Sequence, residues 1–142
     1  MKVLLLLFCV LSLVESISRI RTTVVNAQIT LRCKAPKSPD ATVFLMERDF
    51  DDSAIDEDDT MDFSTYTFGK SPEMKLTLEG EQFEFSGLDP YIYVTHNCAK
   101  SPDSWRTYTV DLMSSMYYSR TFDIIIDLDT ETSIINYKRI QT

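Results

Sequence analysis

Histidine and glycine are almost missing from this chain. One histidine, His96, and three glycines, Gly69, Gly80 and Gly87, serve 142 residues. A single imidazole cannot build a histidine-rich metal centre, and it leaves any Ser–His–Asp arrangement one possible base. Scattered glycines leave no Gly-x-Ser-x-Gly elbow and no phosphate-cradling loop. There is no Asn-x-Ser/Thr sequon, so N-glycosylation is not expected. Basic residues are also scarce, 14 against 22 acidic ones, for a net charge of −8. A field of that sign repels nucleic acid and anionic lipid head groups, and no local basic patch is visible in the sequence.

Long apolar runs are absent except at the start. Lys2 precedes Val3 to Val14, apolar apart from Ser12, and small residues follow at Ser16 and Ser18. That stretch has the length of a signal-peptide core and is too short to span a bilayer. The expected division is a cleaved leader over 1–18 and one domain over 19–142. Nothing downstream reads as a transmembrane helix or a lipidation or retention motif, so the mature chain is expected to be secreted and extracellular. Removing Lys2 and Glu15 with the leader leaves the charge at −8.

Three cysteines occur, and Cys9 falls in the leader. In an oxidising compartment the remaining even pair, Cys33 and Cys98, is most simply a disulfide.

Period-2 alternation dominates what is present. Val25, Ala27, Ile29, Leu31 and Cys33 alternate with Asn26, Gln28, Thr30 and Arg32, which describes a strand with one wet face. Ala41 to Arg48 is apolar on both parities at its centre, as in a strand covered on both faces. Phe63 to Phe68, Met74 to Leu78 with Gly80 ending the strand, and Phe83 to Phe85 follow. Then come Tyr91 to Cys98, Trp105 to Val110, Phe122 to Leu128 and Ser133 to Ile140. Met113 to Tyr118 could form a helical turn. About seven to nine short strands at intervals of about ten residues predict an all-β fold, an Ig-like antiparallel sandwich or a barrel.

Leu88-Asp89-Pro90-Tyr91-Ile92-Tyr93-Val94-Thr95-His96-Asn97-Cys98 carries a resemblance. With the strand ending at Cys33, the Val43-Phe44-Leu45 strand and the acidic Asp49-Phe50-Asp51-Asp52, it resembles the nematode transthyretin-like family over roughly residues 22–140. The resemblance implies a secreted β-sandwich with a Cys33–Cys98 bridge and says little about biochemistry. The chain departs from the family in a proline-rich turn after Cys33, in Glu73 where the family tends to have Asp-x-x-Gly, and in a longer acidic loop. The transthyretin fold also serves a hydrolase of the uric-acid pathway. That enzyme needs clustered histidines and a Tyr-Arg-Gly-Ser tail, whereas this tail reads Tyr137-Lys138-Arg139-Ile140. The chain is expected not to be an enzyme. His96 shares the parity of Ile92, Val94 and Cys98, and is expected to be a hydrogen-bonded residue near the core.

Two groups remain as candidates for function. Asp49, Asp51, Asp52, Asp56, Glu57, Asp58, Asp59 and Asp62 put eight carboxylates into fourteen residues. Carboxylate oxygens suit Ca²⁺, with Asp49, Asp51, Asp52, Asp56 and Asp58 as ligands, although the EF-hand spacing is missing. The plainer expectation is a solvated, repelling loop without cofactor; a third is a docking surface for a basic partner. Among the aromatics, Tyr91 and Tyr93 are expected in core packing. Tyr117 and Tyr118, in a loop, and Trp105 are expected to form a binding surface. The functional expectation is a non-catalytic extracellular binding or adaptor domain acting through loops on an unidentified protein or ligand. The alternatives are an oligomeric carrier of a small apolar ligand and a passive secreted component.

Overall fold

A computed structural model describes residues 22–34, 39–49, 58–69, 71–83, 87–98 and 104–140. Eight strands run in order: β1 (Thr23–Arg32), β2 (Asp40–Glu47), β3 (Asp59–Thr67), β4 (Glu73–Gln82), β5 (Pro90–His96), β6 (Arg106–Asp111), β7 (Arg120–Asp127) and β8 (Thr132–Arg139). They form two four-stranded sheets, β4-β1-β7-β8 and β3-β2-β5-β6. The predicted sandwich is therefore present. Five of its six strand pairings are antiparallel, and β1 with β7 is parallel. Its strand order differs from the immunoglobulin one, in which the first two strands share a sheet.

The alternation read from sequence becomes the core. Val25, Ala27, Ile29 and Leu31 of β1 face Val43, Leu45, Ile92 and Val94 of the other sheet, joined by Phe122, Ile124 and Ile126. Each of these side chains except that of Ala27 contributes about 1.5–3 kcal/mol when fully buried. Cys33 and Cys98 are bridged at the end of this core, with 5.9 Å between their Cα atoms and a separation of 65 residues. Closing a loop of that size stabilises the fold by about 4 kcal/mol in the chain-entropy account.

Three local expectations change. The outward side chains of β2, Phe44 and Met46, are not covered by a second layer. Phe44 is shielded instead by cross-strand neighbours, with its ring 5.8 Å from Phe63 and 6.1 Å from Tyr93. Gly80 does not end its strand; it lies inside β4, where a Cβ would sit 2.5 Å from that of Met61. Met61 is the extra residue of a β-bulge in β3, so the missing side chain lets β3 press against β4. Residues 113–118 form no helical turn, because Met116 makes a β-bridge to Leu88.

The sandwich is closed along one side. Between β3 and β4, Asp62 accepts the Glu79 N–H at 3.0 Å and the Gln82 amide donates to Asp59 at 3.0 Å. On the opposite side, side chains link β6 to the start of β8. Tyr108 Oη meets Ser133 Oγ at 3.3 Å, and Arg106 pairs with Glu131 at 3.3 Å.

Candidate functional site

One pole gathers the start of β1, β5 and β7 and the end of β2, β4, β6 and β8, as the strand registers require. Tyr117 and Tyr118 lie here, 59% and 53% exposed. Their neighbours hold them firmly. Leu88 and Met116 exchange main-chain hydrogen bonds of 3.0 and 2.7 Å, and Met116 is buried. Asp89 accepts the Ser115 N–H at 3.0 Å, and Ser119 Oγ accepts the Val24 N–H at 2.9 Å. Gly87 makes the approach possible. Its φ is +86°, and a Cβ there would lie 2.8 Å from the Ser115 carbonyl carbon. Two large aromatic side chains are thus presented on anchored backbone, the preorganised arrangement that lowers the entropy cost of binding.

Cations lie beside the tyrosines. The register of β7 and β8 sets Arg120 opposite Arg139, with Lys138 next to it. The Arg139 guanidinium carbon sits 3.7 Å from the Tyr118 ring centroid, and that of Arg120 lies 4.8 Å from Tyr137, itself 54% exposed. None of the three cations has an ion pair among the described residues. The sequence showed no basic patch because Arg120 stands nineteen positions before Arg139; only the antiparallel hairpin unites them.

The acidic loop is rooted at the other corner of the same pole. Asp51, Asp52 and Asp56 lie outside the described residues. Asp49 and Asp58 are described, and Asp58 has both oxygens engaged. Oδ1 accepts the Asp49 N–H at 3.3 Å, and Oδ2 accepts the Tyr91 hydroxyl at 2.5 Å. Arg48 lies 4.9 Å over the Tyr91 ring and pairs with Asp111 at 2.8 Å. Burial, and then the bond to Asp58, push the Tyr91 phenol well above its usual range. The hydrogen bond it donates to Asp111 holds the Arg48 guanidinium more firmly protonated than usual. Tyr91 is buried as expected, although outside the inter-sheet core, whereas Tyr93 is only half-buried. They lie on the outward face of β5, Tyr91 sealed beneath Arg48 and Tyr93 against Phe44.

Trp105, also 59% exposed, is not part of this surface. It precedes Arg106, which pairs across β5 with His96 at the opposite pole, beside the disulfide. His96 is buried as its parity required, but neither ring nitrogen has a hydrogen-bond partner among the described residues. Desolvation lowers its pKa; the cation Arg106 adds to the fall, and Glu131 and Asp129 oppose it. Asp129 Oδ1 lies 3.6 Å from Cys98 Sγ, a contact rather than a hydrogen bond because a bridged sulfur carries no proton. Cys33, Cys98 and Asp129 are the one group of three potential metal ligands among the described residues. Both sulfurs are committed to the bridge.

The outward face of the β4-β1-β7-β8 sheet holds an open depression of about 660 Å³, whose walls include Gln28, Thr30, Lys75, Thr77, Asp123 and Asn136. Its polar walls do not resemble the enclosed, mostly apolar site of a small-molecule carrier.

The chain matches no protein-family model and no curated protein. Among solved structures it is similar to the T6SS lipoprotein TssJ1 from Pseudomonas aeruginosa, at 10% identity and a TM-score of 0.42, over 85% of this chain and 100% of that one. It is also similar to a Bacteroides ovatus protein described as a cell-adhesion candidate, at 10% identity and a TM-score of 0.36, over 85% of this chain and 44% of that one. A third, the human-specific toxin intermedilysin, gives 14% identity and a TM-score of 0.30, over 82% of this chain and 24% of that one. All three scores are under 0.5, so these likenesses carry no weight for function.

Proposed function

We propose that this chain is a secreted, non-catalytic binding domain of the transthyretin-like type that engages an extracellular partner through the tyrosine–arginine corner at one pole. The observation that carries this reading is the pair Tyr118 and Arg139. An exposed ring lies under a guanidinium that has no ion pair among the described residues, on backbone pinned by the Leu88–Met116 bridge. Tyrosine and arginine are the residue types that dominate binding energy when they anchor an interface. Secretion is supported by the apolar leader-like run before Ser16 and by the Cys33–Cys98 bridge, which belongs to oxidising compartments. The family resemblance stays part of the proposal and rests on Cys33 and the 88–98 segment.

The test is comparative capture from the extracellular fluid of the source organism. Wild type and the doubly substituted Tyr117→Ser/Tyr118→Ser variant would serve as baits, with bound proteins quantified by mass spectrometry. A protein enriched by the wild type and lost with the variant supports the reading; identical profiles sink it. Size-exclusion with light scattering addresses the carrier alternative, since a ligand site at an oligomer interface requires an oligomer, and a strict monomer would remove it.

A further inference from the structure

Four strands lie at sheet edges, and three of them are blocked. The register of β1 and β4, with Cys33 N–H bonded to the Pro72 carbonyl at 2.8 Å, turns the odd-numbered N–H groups of β4 outward. Asp62 takes the outward Glu79 N–H, and Glu73, Lys75, Glu79 and Glu81 add charge along that edge. The β3 edge is bulged, and its outward Phe63 N–H is also taken by Asp62 at 2.8 Å. The β6 edge has six residues and ends on Arg106 and Asp111. Among the described residues the β8 edge has no bulge and no side chain capping its outward N–H groups, and its charges, Lys138 and Arg139, stand at one end only. It runs eight residues without proline or bulge and, among the described residues, pairs with β7 alone. Ile140 N–H bonds to the Ser119 carbonyl at 2.9 Å, which fixes the phase of the ladder. The even-numbered residues of β8 bond to β7, and Ser133, Ile135, Tyr137 and Arg139 turn their N–H and C=O groups to the open side. On the other flank of β7, the Leu128 N–H bonds to Arg32 of β1, in agreement with that phase.

We propose that β8 is a strand-addition site for an extended peptide carrying carboxylates at one end. The open ladder supplies main-chain hydrogen bonds, the mode by which sheets take up a peptide strand. Charge supplies the selection. Lys138, Arg139 and Arg120 crowd the open end of the hairpin, while Asp127, Asp129 and Glu131 stand at the start of β8 with a single cation, Arg106, paired to Glu131. An acidic segment is therefore attracted over Tyr137–Arg139 and repelled from the opposite end, which sets its register as well as its sign. The inference rests on the reading of this chain as a binding domain and names the chemistry of the partner.

The probe is a dye-labelled, acetylated peptide of alternating glutamate and valine continued by alternating threonine and valine, with a lysine-for-glutamate counterpart. Fluorescence anisotropy on the whole mature domain is expected to show binding of the glutamate peptide that weakens with salt, and much weaker binding of its counterpart. Ser133→Pro removes an outward N–H and spares the β7 ladder. It is expected to weaken binding about tenfold, while Ser133→Ala, which keeps that N–H, changes little. Amide exchange by NMR guards against misfolding of the proline variant, because wild-type Ser133, Ile135, Tyr137 and Arg139 are expected to gain protection on adding peptide. Equal binding of both peptides overturns the inference. So does protection on Thr107 and Thr109 of β6 instead, or concentration-dependent protection of β8 without peptide, which would mark self-pairing. If those results appear while Tyr117→Ser/Tyr118→Ser still abolishes partner capture, the edge site fails and the binding reading stands.

Discussion

The Asp62 carboxylate accepts the main-chain N–H of Glu79 at 3.0 Å while its other oxygen accepts that of Phe63 at 2.8 Å. One side chain thereby satisfies an open donor on each of two facing sheet edges. Unpaired edge N–H groups are both a stability cost and a template for association. Asp62→Ala is expected to cost about 1–3 kcal/mol, read as a lower urea midpoint. Light scattering is expected to show larger species on heating. A variant as stable and as monodisperse as wild type would mean that water replaces the carboxylate without loss.

A second prediction concerns the same seam. A Cβ on Gly80 would fall 2.5 Å from the Cβ of Met61, so Gly80→Ala must push β3 off β4. Overpacking of this kind costs about 1–3 kcal/mol. The partner substitution Met61→Ala shortens the intruding side chain but keeps its Cβ. The double variant should therefore recover only the part of the loss due to the sulfur, 2.9 Å away, and its neighbouring carbon. Full additivity of the two single losses, measured by denaturation, would show that the Met61 sulfur and its neighbouring carbon add nothing to the cost of the Gly80 Cβ.

That seam also shows where the sequence stops being legible. Strand positions followed directly from period-2 alternation, because one face of each sheet is dry and the other wet. It set Tyr91 and Tyr93 on the face opposite Ile92 and Val94, but alternation assigns a face and not what covers it, so the core expectation for Tyr93 failed. Arg48 and Phe44 provide that cover from neighbouring strands. Gly80 looked like a strand end because the Met61 bulge that demands it is nineteen residues upstream. The candidate site divided in the same way. The exposure of Tyr117 and Tyr118 follows from their loop setting, whereas Trp105, equally exposed, lies at the far pole. Arg120, Lys138 and Arg139 were missed, because their proximity depends on hairpin register rather than local composition.

Stability is expected to fall in mild acid through His96. Its folded pKa is lowered by burial, while the unfolded chain titrates near about 6.5. Below that value the unfolded state takes up a proton that the folded ring refuses, so the fold loses stability until the folded pKa is reached. Above it the group contributes no pH dependence. The slope within the window is at most about 1.36 kcal/mol per pH unit. Urea midpoints at about pH 7.5 and about pH 5.5 should differ more for the wild type than for His96→Leu, which cannot take the proton. Equal differences would assign the acid sensitivity to carboxylates instead.

The last prediction decides between the two readings of the acidic loop. Asp58 is bound by Tyr91 through one oxygen and by the Asp49 N–H through the other, so a cation coordinating Asp58 would compete with that latch. Tyr91→Phe leaves a half-buried carboxylate oxygen without its donor and is expected to cost about 1–2 kcal/mol. A calcium site of about 0.1 mM affinity would add about 1.8 kcal/mol of stability at about 2 mM calcium. Thermal melts in chelator, calcium, magnesium and matched sodium chloride are expected to show a common gain from charge screening and no further gain with calcium. Because the latch opposes coordination, a true site would also respond to its removal: the calcium gain would be larger in Tyr91→Phe and absent in Asp58→Asn. That pair of results would convert the loop from a charged surface into a metal site, and would place a cation at the same pole as Tyr117 and Tyr118.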